Sequence, residues 1–363
     1  MKLQVTQENL TRALSTVARV ANVRGTLPIL ANVLIKAEGN RLSISATNLD
    51  IAITEFCGAK ILTEGSITVP ARLMQDYIAS LPAGIIDIEL KDSKLDIKAS
   101  DYSSTINGTE ADDFPVMPAI EDGKTITIPA QLFKRALQQT AFAAATDESR
   151  PILTAVYLHS HEGNMHVAAT DSHRLASKRL DAVEGDISLL LPVSAMQDVL
   201  RIISDTTESV VVSYNEQQAL FEIGDVELVA RLIDGTYPDY RKLLPQSFEF
   251  SANVNRSELI SITKVASLFA RESAGSIKLA THEDDKALEI RSVASQIGEN
   301  SSRVTGEVTG SSEITLNSKY LLDALGAFGA DEITIGFNGK LEPVVLSSSK
   351  DDSYVHLVMP LKS

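Results

Sequence analysis

Tryptophan is absent from the 363 residues, and aromatic side chains make up only 5% of them. A chain this poor in aromatic faces is not built to stack successive bases of a single strand. Cysteine is nearly absent as well. Cys57 stands alone, which excludes an intramolecular disulfide framework and fits a reducing compartment. No apolar run reaches the roughly 18 residues of a membrane-spanning helix. Met1-Lys2-Leu3-Gln4 opens into alternating residues without the apolar core of a secretory signal, so a cytoplasmic protein with no membrane partner is expected. Basic residues are short too, 33 against 48 acidic, a net charge of −15. The far field therefore repels polyanions, although a local basic surface is compatible with it.

What is present is repetition. Leu27-Pro28-Ile29-Leu30 recurs as Arg150-Pro151-Ile152-Leu153, with the prolines 123 positions apart. Val69-Pro70-Ala71 is echoed 122 positions on by Leu191-Pro192-Val193, and Leu316-Asn317-Ser318 follows after a further 125. Asp113-Phe114-Pro115 has its counterpart in Thr236-Tyr237-Pro238, and Pro360 lies 122 beyond Pro238. Independent markers sharing one period define a repeat architecture. Three units fit, 1–123, 124–246 and 247–363.

Each unit divides again. A short strand at Leu3–Val5 precedes an amphipathic helix over Gln7–Val20, where Leu10, Leu14 and Val17 recur at helical spacing. Alternating strands follow at Val33–Lys36, Arg41–Ala46 and Ile51–Phe56, with Glu38-Gly39-Asn40 as a hairpin turn. The second half repeats the order. The chain is read as six βαβββ half-units, two per repeat, with helices covering one face of antiparallel sheets: an α+β fold.

Charge is distributed unevenly over this pattern. The helical stretches Gln7–Arg24, Ala130–Ala145 and Asn255–Arg271 each carry +2, and the other three helices are neutral, so the helices sum to +6 on a −15 chain. Lys134 and Arg135 belong to the second of these stretches. If equivalent helices share a surface, such charge suits a phosphate backbone held without base reading. The plainer reading is ordinary solvated helix faces.

Enzyme chemistry finds little support. Asp171-Ser172-His173 holds triad residue types, but consecutive strand residues point to opposite faces. His159, His161 and His166 make a weak zinc-like arrangement, and surface hairpin histidines are commoner. Glu283-Asp284-Asp285 falls in a predicted turn, a solvated loop rather than a two-metal carboxylate cluster. No Gly-x-x-x-x-Gly-Lys-Ser/Thr phosphate loop occurs. No catalytic residue, metal or cofactor is expected. A metal-dependent nuclease and a peptide-binding scaffold without DNA stand as the alternatives to a DNA-holding protein.

Several stretches together resemble one family, the bacterial DNA polymerase III beta subunit or sliding clamp. They are Thr26–Leu30, Val69–Arg72, Ala169-Thr170-Asp171-Ser172-His173-Arg174-Leu175, Asp234–Arg241 and the tail Val358-Met359-Pro360-Leu361. The resemblance implies two chains joined head to tail in a closed ring around duplex DNA, with helices lining the inner surface. Sequence alone leaves a one-chain ring open, because closure depends on the rotation per repeat. It further implies a replication processivity factor that tethers the replicative polymerase, is loaded by an ATP-dependent clamp loader, and serves other polymerases and repair proteins carrying clamp-binding motifs.

The resemblance also implies roles for residues. Leu153, Thr170, Ser172, His173, Arg174, Leu175, Pro238, Lys242 and Leu243, with Leu357, Val358, Met359, Pro360 and Leu361, match the family's partner pocket. An apolar groove with a polar rim suits short motifs bearing Leu and Phe. Part of the tail also reads as a last core strand. Ser172 stands where the family commonly has Gly, and Lys242 where Arg is frequent. Arg24 and Arg72 match basic positions near the duplex path, while Asp147, Pro151, Val193 and Ser194 replace contacts that some members present. Leu268 and Phe269 match the apolar ring contact of the third repeat, with Ile106 opposite.

Overall fold

The protein is described by a computed structural model over residues 1–21, 27–115, 119–120, 123–181, 183, 185–294 and 298–361. Six half-units follow one another. The first has β1 (Lys2–Thr6), α1 (Gln7–Val17), β2 (Asn32–Glu38), β3 (Arg41–Thr47) and β4 (Ile51–Thr63). The second has β5 (Gly65–Pro70), α2 (Ala71–Ser80), β6 (Ile85–Lys91), β7 (Lys94–Ala99) and β8 (Tyr102–Asn107). The third has β9 (Lys124–Pro129), α3 (Ala130–Thr140), β10 (Ala155–His161), β11 (Asn164–Thr170) and β12 (Arg174–Leu180). The fourth has β13 (Ser188–Pro192), α4 (Val193–Ile202), β14 (Ser209–Tyr214), β15 (Gln218–Ile223) and β16 (Val226–Arg231). The fifth has β17 (Phe250–Asn255), α5 (Arg256–Phe269), β18 (Ser276–His282), β19 (Ala287–Ala294) and β20 (Gly298–Thr309). The sixth has β21 (Ser312–Asn317), α6 (Ser318–Ala327), β22 (Glu332–Phe337), β23 (Val344–Ser348) and β24 (Asp351–Val358). The expected βαβββ order holds in all six.

Local chemistry explains the starts of the helices. Thr6, Asn255 and Asn317 cap α1, α5 and α6 by accepting backbone N–H groups of the first turn. Leu10, Leu14 and Val17 of α1 are buried, as are Met74 and Ile78 of α2, which packs beside it. Two expected bounds are corrected. Helix α1 ends at Val17, not Val20, because the Ala18 N–H closes the last turn on Leu14. Strand β4 runs on to Thr63 because β1 pairs with its far half, Val5 opposite Ala59 and Leu3 opposite Ile61.

Strand exchange repeats with the period of the sequence. In every repeat the first strand of each half-unit pairs with the other half: β1 with β6 and β5 with β2, β9 with β14 and β13 with β10, β17 with β22 and β21 with β18. Two compact units result, residues 1–131 with 201–232 and residues 132–200 with 233–363. Each holds one 12-stranded sheet. In the first unit β16 pairs with β4; in the second β12 pairs with β24. The residues expected to form the central repeat are thus shared between two sheets.

Candidate peptide-docking cleft

Strand β11 leaves the second sheet at Thr170 and β12 re-enters it at Arg174. Thr170 Oγ1 accepts the Ser172 N–H at 3.2 Å and donates to the Arg174 carbonyl at 2.6 Å. Asp171 Oδ1 accepts the N–H groups of His173 and Arg174, both at 2.9 Å. Short polar side chains thus supply the hydrogen bonds that the ladder cannot. Ser172 sits at the tip with φ +74°, a left-handed conformation costly for any residue with a Cβ. Glycine would escape that cost.

The turn directs Arg174 at helix α6. Its Nε meets Asp171 Oδ2 at 3.1 Å, Nη1 meets Asp323 Oδ2 at 2.6 Å, and Nη2 donates to the Phe142 carbonyl at 2.8 Å. The guanidinium lies 4.8 Å from the Tyr320 ring centre and 5.4 Å from that of Phe142. With its donors and faces so engaged, Arg174 builds the wall of the cleft. His173 stacks on Tyr320 at 6.2 Å between centroids, and burial raises the Tyr320 hydroxyl above its ordinary pKa. From the facing loop, Arg150 Nη1 donates to Ser172 Oγ at 3.2 Å. Pro151–Thr154 then forms a 3-10 turn that buries Leu153. Arg150, Leu153, Asp171, Ser172, His173, Arg174 and Tyr320, with Asp147 and Lys319, line a cavity of about 600 Å³, within the range of ligand sites. Asp147 accepts the Ser149 N–H and hydroxyl, each at 2.9 Å, which holds its carboxyl below the usual range.

Of the residues expected to bind partners, Leu153, Ser172, His173 and Arg174 line this cavity. Three others lie in the strand pairing beneath the turn. Leu175 lies opposite Leu357 and Arg174 opposite Val358; Leu175, Leu357 and Val358 are at most 1% exposed. They are core strand residues. Past β24, Met359, Pro360 and Leu361 are half-buried, and the Met359 N–H donates to the His173 carbonyl at 2.8 Å. Pro238, Lys242 and Leu243 are exposed and do not line the cavity. Their segment is fastened by buried Tyr240, whose hydroxyl meets His159 Nε2 at 2.9 Å and Ser177 Oγ at 3.0 Å. Burial pushes His159 down to about 4. Tyr240, Leu175, Tyr237 and Leu357 form an apolar cluster on which Met359 packs.

Sequence reasoning missed Arg150, Lys319, Tyr320 and Asp323. Arg150 had a signal, since it replaces Leu27 inside an otherwise repeated Pro-Ile-Leu. Tyr320 and Asp323 had none, because only the fold brings α6 to a turn almost 150 positions earlier, 149 in the Arg174–Asp323 pair.

The residues expected at DNA and at the ring contact lie elsewhere. Arg24 is outside the described residues. Arg72 is 89% exposed and stands 4.0 Å from Asp76. Lys134 is half-buried with interactions of its own, and Arg135 pairs with Asp351 at 3.4 Å. With the ends as found, α3 carries +2, α5 carries +1 and the other described helices are neutral. The total is +3 rather than the expected +6, because Arg19 and Arg271 fall past the helix ends and Arg24 lies outside the described residues. Arg12 is further neutralised by buried Glu55 at 3.0 Å. Leu268 is 53% exposed, but Ile106 is only 6% exposed and belongs to its own core. The three candidate zinc histidines sit close, His159 and His166 at 5.4 Å, yet among the described residues no group of three or more His, Cys, Asp or Glu is placed to hold a metal.

Fold and site together define a repeat protein of α+β half-units with a cleft at the β11–β12 turn. The sequence matches the N-terminal, central and C-terminal domains of the DNA polymerase III beta subunit over residues 1–118, 127–239 and 241–362. It is 31% identical to the beta sliding clamp of Bacillus subtilis (strain 168) and 29% to that of Staphylococcus aureus, covering 100% of both chains in each case. The crystal structure of the Bacillus subtilis DNA polymerase sliding clamp matches with a TM-score of 0.95 at 30% identity, covering 100% of this chain and 99% of that one. A Pseudomonas aeruginosa sliding clamp bound to griselimycin matches with a TM-score of 0.95 at 27% identity over 100% of both chains. The chain belongs to the DNA polymerase III beta subunit family.

Proposed function

We propose that this chain is a replication sliding clamp, a non-catalytic processivity factor of the cytoplasm. Two copies close head to tail around duplex DNA, and the cleft at Arg150, Ser172 and Tyr320 tethers the polymerase. The observation that carries this reading is full-length similarity to beta sliding clamps, in a chain whose three repeats, 1–123, 124–246 and 247–363, share one strand-exchange pattern. Three repeats that each turn the chain by about 60° span half a circle, so two chains close it. The edge strand β8 with exposed Tyr102 suits one side of the joint, and exposed Leu268 suits the other. DNA is held loosely by the basic groups on α3 and α5 and by Arg72, against a net charge of −15, without base reading. Clamp loader, replicative polymerase and repair proteins dock through short motifs in the cleft, which raises their effective concentration at the template.

The test is retention on nicked circular DNA after loading. Protein should stay on closed circles at moderate salt and leave once the circle is linearised. Equal salt sensitivity on circular and linear DNA would reject encirclement.

A further inference from the structure

We infer that Glu55 withdraws Arg12 from the duplex, so that of two equivalent helix arginines only Arg135 grips the phosphate backbone. This rests on the encirclement reading above and adds which residue decides where the grip falls. Arg12 and Arg135 stand 123 positions apart, one period, and each is the sixth residue of its helix, α1 and α3. Their side chains are about equally open, 59% and 56% exposed. What lies beneath them differs. Under Arg12 the position on β4 is Glu55, whose side chain is 3% exposed and whose Oε1 accepts the Arg12 Nε–H at 3.0 Å. Its Oε2 has no hydrogen-bond partner among the described residues, so that one guanidinium compensates the buried charge. Drawing Arg12 toward a phosphate would strand it, the costly way to break a buried pair.

One period on, the same position on β12 is Lys178, of the opposite charge. Its side chain is 5% exposed, and its Nζ meets both oxygens of Asp351 at 2.9 Å. Asp351 also faces Arg135 Nη2, at 3.4 Å, but the buried lysine already balances it. Arg12 with Glu55 sums to zero; Arg135 with Lys178 and Asp351 sums to +1. A phosphate backbone gains by counterion release only where the protein offers charge in surplus. On a chain of −15 one such surplus counts, because the far field opposes the approach.

The experiment is fluorescence anisotropy of the full chain with a labelled linear duplex over a salt series, with urea unfolding of each variant alongside. Arg135→Gln should weaken binding about two- to fivefold at roughly 50 mM salt, the worth of one exposed charge. The slope of log affinity against log salt should flatten by about 0.9. Glu55→Gln keeps an acceptor for Arg12 while removing the charge, and should tighten binding by about the same factor with a steeper slope. Arg12→Gln added to it should restore the parent values. Glu283→Gln, which removes the same charge from an exposed hairpin turn, should move neither. Arg135 is exposed, so its variant tests the grip even where Glu55→Gln disturbs the fold. Tightening by Glu55→Gln that is no larger than that by Glu283→Gln, or that survives Arg12→Gln, would overturn the inference while leaving retention on nicked circles intact. So would an unchanged affinity in Arg135→Gln. Should the parent leave nicked circles as readily as linear DNA, the encirclement reading would fall and this inference with it.

Discussion

In the turn between β3 and β4, Thr47 Oγ1 accepts the Leu49 N–H and donates to the Ile51 carbonyl, both at 3.0 Å. Asn48 Oδ1 accepts the N–H groups of Asp50 and Ile51. One period on, 123 positions later, Thr170 and Asp171 make the same four bonds around Ser172. The tips agree as well, Leu49 at φ +78° and Ser172 at +74°. Even the neighbouring strand contributes alike: Arg231 N–H donates to the Asp50 carbonyl at 2.9 Å, and Met359 N–H to that of His173 at 2.8 Å. Besides Asn48 against Asp171, which keep the same bonds, four side chains differ. Leu27, Leu49, Asp50 and Ile51 of the first frame become Arg150, Ser172, His173 and Arg174 in the second. One frame buries an isoleucine; the other plants a guanidinium, which reaches α6 and closes a cleft. Backbone geometry is inherited by repetition, and chemistry enters by substitution on it.

The largest test of that contrast is Arg174→Ala. It strands Asp171 and Asp323 without their shared cation and leaves the Phe142 carbonyl without its donor. Breaking a largely buried pair from one side costs about 3–5 kcal/mol. Ile51→Ala in the first frame loses only apolar burial, about 2–4 kcal/mol. Urea unfolding measures both. A loss under about 1 kcal/mol at Arg174 would mean that the second turn stands without its guanidinium.

Acid should separate the two units. All six histidines lie in the second, at positions 159, 161, 166, 173, 282 and 356. Burial lowers His159 to about 4 and His356 to about 3, so the fold favours their neutral forms. The unfolded chain then binds more protons, and stability is full above about pH 6.5 and declines as pH falls toward the folded values. Each histidine costs about 1.4 kcal/mol per pH unit over that window, near 3 kcal/mol for the pair by about pH 5.5. Hydrogen exchange between pH 7 and pH 5.5 should show β10, β12 and β24 losing protection before β2, β3 and β4. Equal loss would remove the contrast.

Deleting Met359–Ser363 removes the donor to the His173 carbonyl together with the half-buried methionine. Peptide affinity should fall by at least about 2 kcal/mol, roughly thirtyfold, with the mass by light scattering unchanged. In the first frame the corresponding donor is Arg231, inside a strand, and no such groove is proposed there. Unchanged affinity would detach the tail from the cleft.

Much of this architecture was legible in the amino-acid pattern, and the reason is redundancy. A βαβββ rhythm repeated six times corrects its own local ambiguities, and Thr-Asp or Thr-Asn followed by the re-entering strand announces the turn through hydrogen bonds between near neighbours. Long-range pairing was not legible. Strand β4 is extended by β1, and nothing inside Ile51–Thr63 says so. Leu357 and Val358 read as groove or core with equal justice until β12 pairs with β24 and buries them. The helix charges were overcounted in part because Arg19 and Arg271 lie beyond ends that hydrogen bonding, not composition, determines. Of the cleft, the part within one turn was readable, and the part supplied by Lys319, Tyr320 and Asp323 was not.

The finest comparison is at the two tips. A left-handed φ costs a residue with a Cβ about 1 kcal/mol, while glycine loses more conformational freedom on folding, about 0.5–1 kcal/mol. Ser172→Gly and Leu49→Gly should therefore both fall within about 1 kcal/mol of the parent in urea unfolding, because the two backbones match. Only the serine also positions a ligand-facing group, through the 3.2 Å bond from Arg150. Losing that bond should leave stability nearly untouched and lower the affinity for a docked peptide about two- to threefold, the effect of one exposed hydrogen bond. Leu49→Gly should not move that affinity at all. If Ser172→Gly instead destabilised by well over 1 kcal/mol while Leu49→Gly did not, the hydroxyl would be part of the frame itself. The two turns would then share a shape without sharing the reason for it.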